Sequence, residues 1–177
     1  MREVDALIAG RYRRMAPLHR GTGVCTYLGR DRDDRRVVIK QFALDTLSSG
    51  ARFRIEHDAS LLQTVRSDAL AQVRDFMATE ELALFVFDYI EGETLESRFH
   101  QQPLTLLETL RIGIQIFEGL ERLHEKGLLH RDVKSSNVIL QGTGDAIRAT
   151  LVDACRCELD GPVELRRGGE RGKKSFS

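Results

Sequence analysis

Asp132, Lys134 and Asn137 stand at fixed offsets in the polar stretch His130-Arg131-Asp132-Val133-Lys134-Ser135-Ser136-Asn137. Apolar residues bracket it, Leu128-Leu129 on one side and Val138-Ile139-Leu140 on the other. A loop pinned by core at both ends holds its polar side chains in place. Within it a carboxylate can accept a proton, an ammonium can neutralise a phosphate, and an amide oxygen can face a metal ion. That set suits phosphoryl transfer, where positioning and charge neutralisation do most of the catalytic work. Two further residues have the right chemistry. Lys40 ends the β-branched run Val37-Val38-Ile39, and Asp153 follows the apolar Leu151-Val152. Each taken alone is an ordinary polar residue at a strand end.

The elements that must position these groups are readable from pattern. From Arg11 to Ala43 the chain alternates strand, turn, strand, turn and strand, with Gly21-Thr22-Gly23 in the first turn and the polar reversal 30–35 in the second. Ala51 to Arg66 reads as a helix, with Ile55, Ala59 and Leu62 at helical spacing. Residues 71–76 and 82–87 read as an antiparallel hairpin. Five strands and one helix by Tyr89 make an α+β lobe. Asp88 to Gly92 is then a crossing point into a second region. There a long helix starts at Thr105, which forms a capping box with Glu108, and stops at Gly127. The expected buried stripe of that helix is Leu107, Leu110, Ile114 and Phe117. Two short strands follow, 138–140 and 149–152, around the turn Gly142 to Asp145.

Composition narrows the classes. The 177 residues include 27 Lys plus Arg and 27 Asp plus Glu, so net charge points to neither nucleic acid nor an anionic membrane as partner. The apolar run from Leu82 to Ile90 is strand-sized and contains Asp88, too short to span a bilayer. Three cysteines, Cys25, Cys155 and Cys157, build no disulfide framework, and the N-terminus has no signal-peptide core. The expectation is a cytoplasmic protein.

The string His130-Arg131-Asp132-x-Lys134-x-x-Asn137, with its flank from Leu123 to Leu129, resembles the catalytic loop of the eukaryotic-type serine/threonine protein kinases. The resemblance implies a protein-kinase-like fold over residues 11–153: a five-stranded antiparallel N-lobe with one helix (11–89), then the start of a helical C-lobe (90–153). It implies ATP and Mg2+ as cofactors and a protein as substrate. Asp132 would accept the proton of the substrate hydroxyl. Lys134 would steady the transferred phosphate, and its presence favours the serine/threonine over the tyrosine branch. Val37-Val38-Ile39-Lys40 is similar to the family's V-A-I-K, which gives Lys40 the nucleotide phosphates and Glu56, on the next helix, the task of orienting it. Asp153 stands where the family has the Asp of D-F-G and would hold Mg2+ together with Asn137. Gly21 and Gly23 would bring backbone amides to a phosphate. Backbone groups of Asp88 and Ile90 would receive adenine, with Phe87 behind it.

The chain also departs from the pattern. His19 and Val24 stand at the first and third places of G-x-G-x-x-G, and Ala154-Cys155 replace the Phe-Gly of D-F-G. After Asp153 no A-P-E appears, and residues 158–177 form a basic tail expected to be loosely ordered, with Ser175 and Ser177 as candidate phosphate acceptors. The sequence therefore reads as a truncated kinase whose long helix exposes apolar surface unless a partner covers it. The competing reading is a nucleotide-binding, pseudokinase-like interaction module without turnover. Small-molecule phosphotransferases of related fold are disfavoured by Arg131 and Lys134 in the protein-kinase arrangement.

Overall fold

The computed structural model describes residues 7, 8, 10–21, 23–45 and 47–154. The basic tail, Ser175, Ser177, Cys155, Cys157 and Thr22 of the glycine turn lie outside the described residues.

The strands in chain order are β1 (Leu7–Ile8), β2 (Tyr12–Gly21), β3 (Val24–Arg30), β4 (Arg36–Ala43), β5 (Val73–Ala78) and β6 (Leu82–Asp88). They form one antiparallel sheet in the order β1-β2-β3-β4-β6-β5. The five expected strands are present, and the two-residue β1 extends the sheet before Arg11. Strands β4 and β6 are interior strands covered on both faces, which is why their runs are apolar on both sides. One face carries Phe42, Phe85 and Phe87 against helix α1 (Ser49–Leu62), whose Ile55, Ala59 and Leu62 are buried as the spacing predicts. The other face closes over Tyr12, Val37, Ile39, Leu84 and Val86.

Helix α1 stops at Leu62 rather than Arg66. The Thr64 hydroxyl donates to the Leu61 carbonyl (2.7 Å), and the Arg66 guanidinium donates to the carbonyls of Gln63 (2.7 Å) and Val65 (2.8 Å). The amides of Gln63, Thr64 and Val65 also reach back to the carbonyls of Ala59, Leu61 and Leu62, so a tightened turn closes the helix here.

Beyond β6 come β7 (Glu93–Thr94), α2 (Leu95–Gln101), α3 (Leu106–His124), β8 (Val138–Gln141) and β9 (Arg148–Leu151). Strands β7, β8 and β9 pair antiparallel. Gly92 precedes them at φ +144°, and a Cβ there would collide with the Leu140 carbonyl oxygen, so only glycine lets the crossing segment pass this close to β8. Apolar residues of α3, β8 and β9 join the α1 side of the large sheet in one continuous core through Leu70, Leu123, Val138 and Leu151.

Both expected signals end α3 where predicted. Thr105 and Glu108 form the capping box, and the Leu128 amide reaches back over Gly127 (φ +71°) to the Leu123 carbonyl at 3.0 Å. The Glu108 carboxylate also accepts from the Gly144 amide (2.9 Å). The amides of Thr105 and Gly144 hold that carboxyl below the usual range. The expected buried stripe is corrected. Leu107, Leu110, Ile114 and Phe117 are 51%, 55%, 57% and 72% exposed, whereas Glu108, Ile112, Gly119 and Leu123 are buried. This helix is apolar on two faces, and the choice between them is made by Gly119. A Cβ there would sit 3.1 Å from the Ala69 carbonyl oxygen and 3.3 Å from Leu70, so the glycine is the point of closest approach.

Candidate active site

The loop after α3 is built on a buried histidine. His130 is 2% exposed, and its imidazole spans two backbone strands. Nε2 lies 3.0 Å from the Val152 carbonyl oxygen, and Nδ1 lies 3.3 Å from the Asp132 amide. A carbonyl needs a donor and an amide needs an acceptor, so one neutral tautomer, protonated on Nε2, satisfies both. Burial pushes the imidazole pKa down, in keeping with that neutral form. Residues on either side of this joint are bent. Arg131 has φ +63° and Asp153 φ +67°, a region costing an L-residue about 1–2 kcal/mol. The bonds of His130 to the backbone next to each bend help hold the two in place.

The turn that follows aims the chemistry. Asn137 is buried, and its side-chain amide donates to both the carbonyl (2.9 Å) and the carboxylate (3.0 Å) of Asp132. Lys134 brings its ammonium to 2.9 Å from the same carboxylate oxygen. The backbone closes the unit, with the Asn137 amide donating to the Lys134 carbonyl and the Val152 amide donating to the Asn137 carbonyl, both at 2.9 Å. That last bond continues the β8–β9 ladder, in which Val138 faces Leu151, and so sets Asn137 beside the chain leading into Asp153.

Asp153 meets Lys40. The ammonium, on central strand β4 and only 6% exposed, donates to the Asp153 carboxylate and lies 5.4 Å from the Phe42 ring centre. The structure thus brings five of the sequence-predicted residues to one region: Lys40, Asp132, Lys134, Asn137 and Asp153. Glu56 is exposed on α1 and takes no part in the Lys40–Asp153 contact. Gly21 and Gly23 lie on the β2–β3 turn, whose far side is tied to the end of β4 by the Ala43 amide on the Gly23 carbonyl (2.9 Å). Gly23 has φ +71°. Asp88 closes β6 with its amide on the Gln72 carbonyl (3.0 Å), and Ile90 follows half-buried. Ala154 is buried and lines a small hollow together with Leu62, Val65, Leu70, Val73 and Leu123.

Nothing in the spacing marks His130 as the residue that couples the two bends. Sequence reasoning also missed Arg36 and Arg74, whose partners lie far away in sequence. In pattern they are charged residues on strands, and no spacing rule marks them.

A carboxylate held by an amide and an ammonium can take up a proton, and the two ammonium groups of Lys134 and Lys40 can offset phosphate charge. The donor set also fits Mg2+. Because the Asn137 amide nitrogen is committed to Asp132, its oxygen is the atom turned away, and carboxylate and amide oxygens are the ligands a hard cation takes. Among the described residues no cluster of three His, Cys, Asp or Glu offers an alternative metal site. No helix among them is long and apolar enough to cross a membrane.

Comparison with known proteins agrees with the geometry. The protein kinase domain family matches residues 12–153. The chain is 32% identical over 152 residues to the serine/threonine-protein kinase pkn2 of Myxococcus xanthus, covering 84% of this chain and 18% of that protein. It is 30% identical over 143 residues to CBL-interacting serine/threonine-protein kinase 19 of Arabidopsis thaliana, covering 80% of this chain and 30% of the relative. It therefore spans less than a third of the length of these relatives. The matched span runs from β2 to the Asp153 that meets Lys40, and on that ground the chain belongs to the eukaryotic-type serine/threonine protein kinase family.

Proposed function

We propose that residues 11–153 act as the nucleotide-binding lobe (11–89) and catalytic loop region (90–153) of an enzyme that transfers the terminal phosphoryl group of ATP to serine or threonine hydroxyls of proteins in the cytoplasm. The observation that carries this reading is the convergence of Lys40, Asp132, Lys134, Asn137 and Asp153, joined through His130.

The roles follow from the contacts. Asp132 accepts the hydroxyl proton as the oxygen attacks phosphorus, while the Asn137 amide keeps the carboxylate turned toward the site. Lys134, already beside that carboxylate, offsets charge on the transferred group. Lys40 anchors the nucleotide phosphates from a rigid strand and exchanges its partner Asp153 for them. Asn137 and Asp153 would hold Mg2+, which supplies charge neutralisation between the phosphates. Glu56 would orient Lys40 once α1 turns it inward. Adenine would rest on backbone groups of Asp88 and Ile90, and amides near Gly21 and Gly23 would cover the phosphates.

The test is a thermal-shift titration with ATP and Mg2+ beside phosphate transfer to a generic basic protein. A shift with transfer that Asp132→Ala abolishes is expected. No shift refutes the nucleotide site. A shift without transfer moves the reading to a nucleotide-binding module without turnover, which Val24 in the glycine turn and Ala154 after Asp153 favour.

A further inference from the structure

The segment that crosses from the large sheet into the second region is held from outside by two arginines. Arg74, on edge strand β5, donates through Nε to the Asp88 carboxylate and through Nη1 to Asp31 at 3.0 Å. Asp31 is a fixed anchor. Its side chain is only 15% exposed, and its other oxygen accepts from the amides of Asp33 (3.0 Å) and Arg35 (2.9 Å) within the β3–β4 turn. Arg36, the first residue of β4, pairs with Glu91 and lies over the Tyr89 ring, 4.4 Å from its centre. Asp88, Tyr89 and Glu91 are thus each engaged by an arginine, and Ile90 lies between engaged neighbours. All these arginine contacts are made to side chains and none to the segment's backbone groups.

The geometry points to Arg36 and Arg74 as positioning residues that pre-set the backbone from Asp88 to Ile90 for a nucleobase. This rests on the reading that adenine binds at that backbone. Neither arginine touches the nucleotide; each acts through the crossing segment. A segment already ordered has less freedom to lose on binding, so its affinity is higher than that of a loose one. The forked geometry matters at Arg74, because one guanidinium serves two carboxylates from different nitrogens, which a single ammonium cannot copy. Both arginines are partly exposed, so the straps weaken as salt rises.

The probe is adenosine, which carries no phosphate and so reports no charge attraction of its own. Its Kd is measured by calorimetry at low and high salt on the full 177-residue chain, with hydrogen exchange of the amides from Asp88 to Glu91 measured alongside. Arg36→Gln and Arg74→Gln are each expected to weaken adenosine binding about threefold, and the double variant about tenfold. The double variant should also lose the salt dependence of Kd and exchange its crossing-segment amides faster. Arg74→Lys should recover only part of the loss. Asp88→Asn and Glu91→Gln break the same contacts from the other side and should reproduce the effect if an arginine variant folds poorly. If the wild-type chain binds neither adenosine nor ATP, the nucleotide reading fails and the positioning role with it. If it binds adenosine, and the double variant binds equally well with unchanged exchange, the straps alone are refuted.

Discussion

Replacing His130 with phenylalanine isolates the joint on which the site is built. Phenylalanine keeps a flat ring at a side chain that is 2% exposed, somewhat larger than imidazole, and removes both ring nitrogens, so the polar contacts are the main change. The Val152 carbonyl loses a donor at 3.0 Å and the Asp132 amide loses an acceptor at 3.3 Å. A buried group left without its partner costs about 1–3 kcal/mol, and the longer contact belongs at the low end, so the expected loss is about 2–4 kcal/mol. Urea unfolding followed by circular dichroism reads it. The pH dependence gives a second, independent check. Burial lowers the imidazole pKa from its ordinary 6.5. The unfolded chain therefore binds the proton more readily than the folded one. The wild-type chain keeps this contribution above pH 6.5 and loses it progressively as pH falls from there through the lowered folded value. Protonation would also turn Nδ1 into a donor facing the Asp132 amide. His130→Phe removes that titration, so stability lost by wild type between neutral pH and pH 5, relative to the variant, should be absent from the variant. A variant within about 0.5 kcal/mol of wild type, with an unchanged slope below pH 6.5, would refute the joint.

Two glycines of α3 give opposite expectations. Gly119→Val should cost about 1–3 kcal/mol, because its Cβ alone already crowds the Ala69 carbonyl at 3.1 Å; Gly113→Ala, with nothing within 4 Å of its Cβ, should gain about 0.5–1 kcal/mol, both read by thermal unfolding. Ile114→Glu and Phe117→Glu, at 57% and 72% exposed, should change stability by less than about 0.5 kcal/mol and reduce self-association in light scattering. A loss several times larger would mean that this face is packed in solution.

The catalytic loop was legible because its residues are close in sequence and their chemistry is explicit. Asp132, Lys134 and Asn137 contact one another within six positions, so local spacing nearly determines the geometry. The large sheet was legible because alternation and turns mark each strand, and α1 kept the stripe its spacing predicts. The failure on α3 has a clear physical origin. Leu107, Leu110, Ile114 and Phe117 are as apolar and as regularly spaced as Ile112, Ile116, Leu120 and Leu123. Periodicity identifies faces without saying which one meets the core. The deciding feature is an absent side chain, Gly119, which in sequence reads only as a weak helix former. Arg74 was invisible for another reason, since its partners lie 43 and 14 residues away.

These contacts also separate two questions that the sequence had joined. The expected truncation leaves apolar surface on α3 uncovered, and it also raises the question of what holds Asp132. In the structure Asp132 is fixed by Asn137 through its carbonyl and carboxylate, by Lys134 through its carboxylate and by His130 through its amide. His130 is fixed in turn by Val152, beside Asp153. Each of these groups lies between residues 130 and 153, and none lies on the exposed face of α3. Covering that face therefore bears on stability and association, whereas the placement of Asp132 depends on His130, Lys134 and Asn137. Phe117→Glu and His130→Phe should accordingly have separable consequences, the first on self-association and the second on the site.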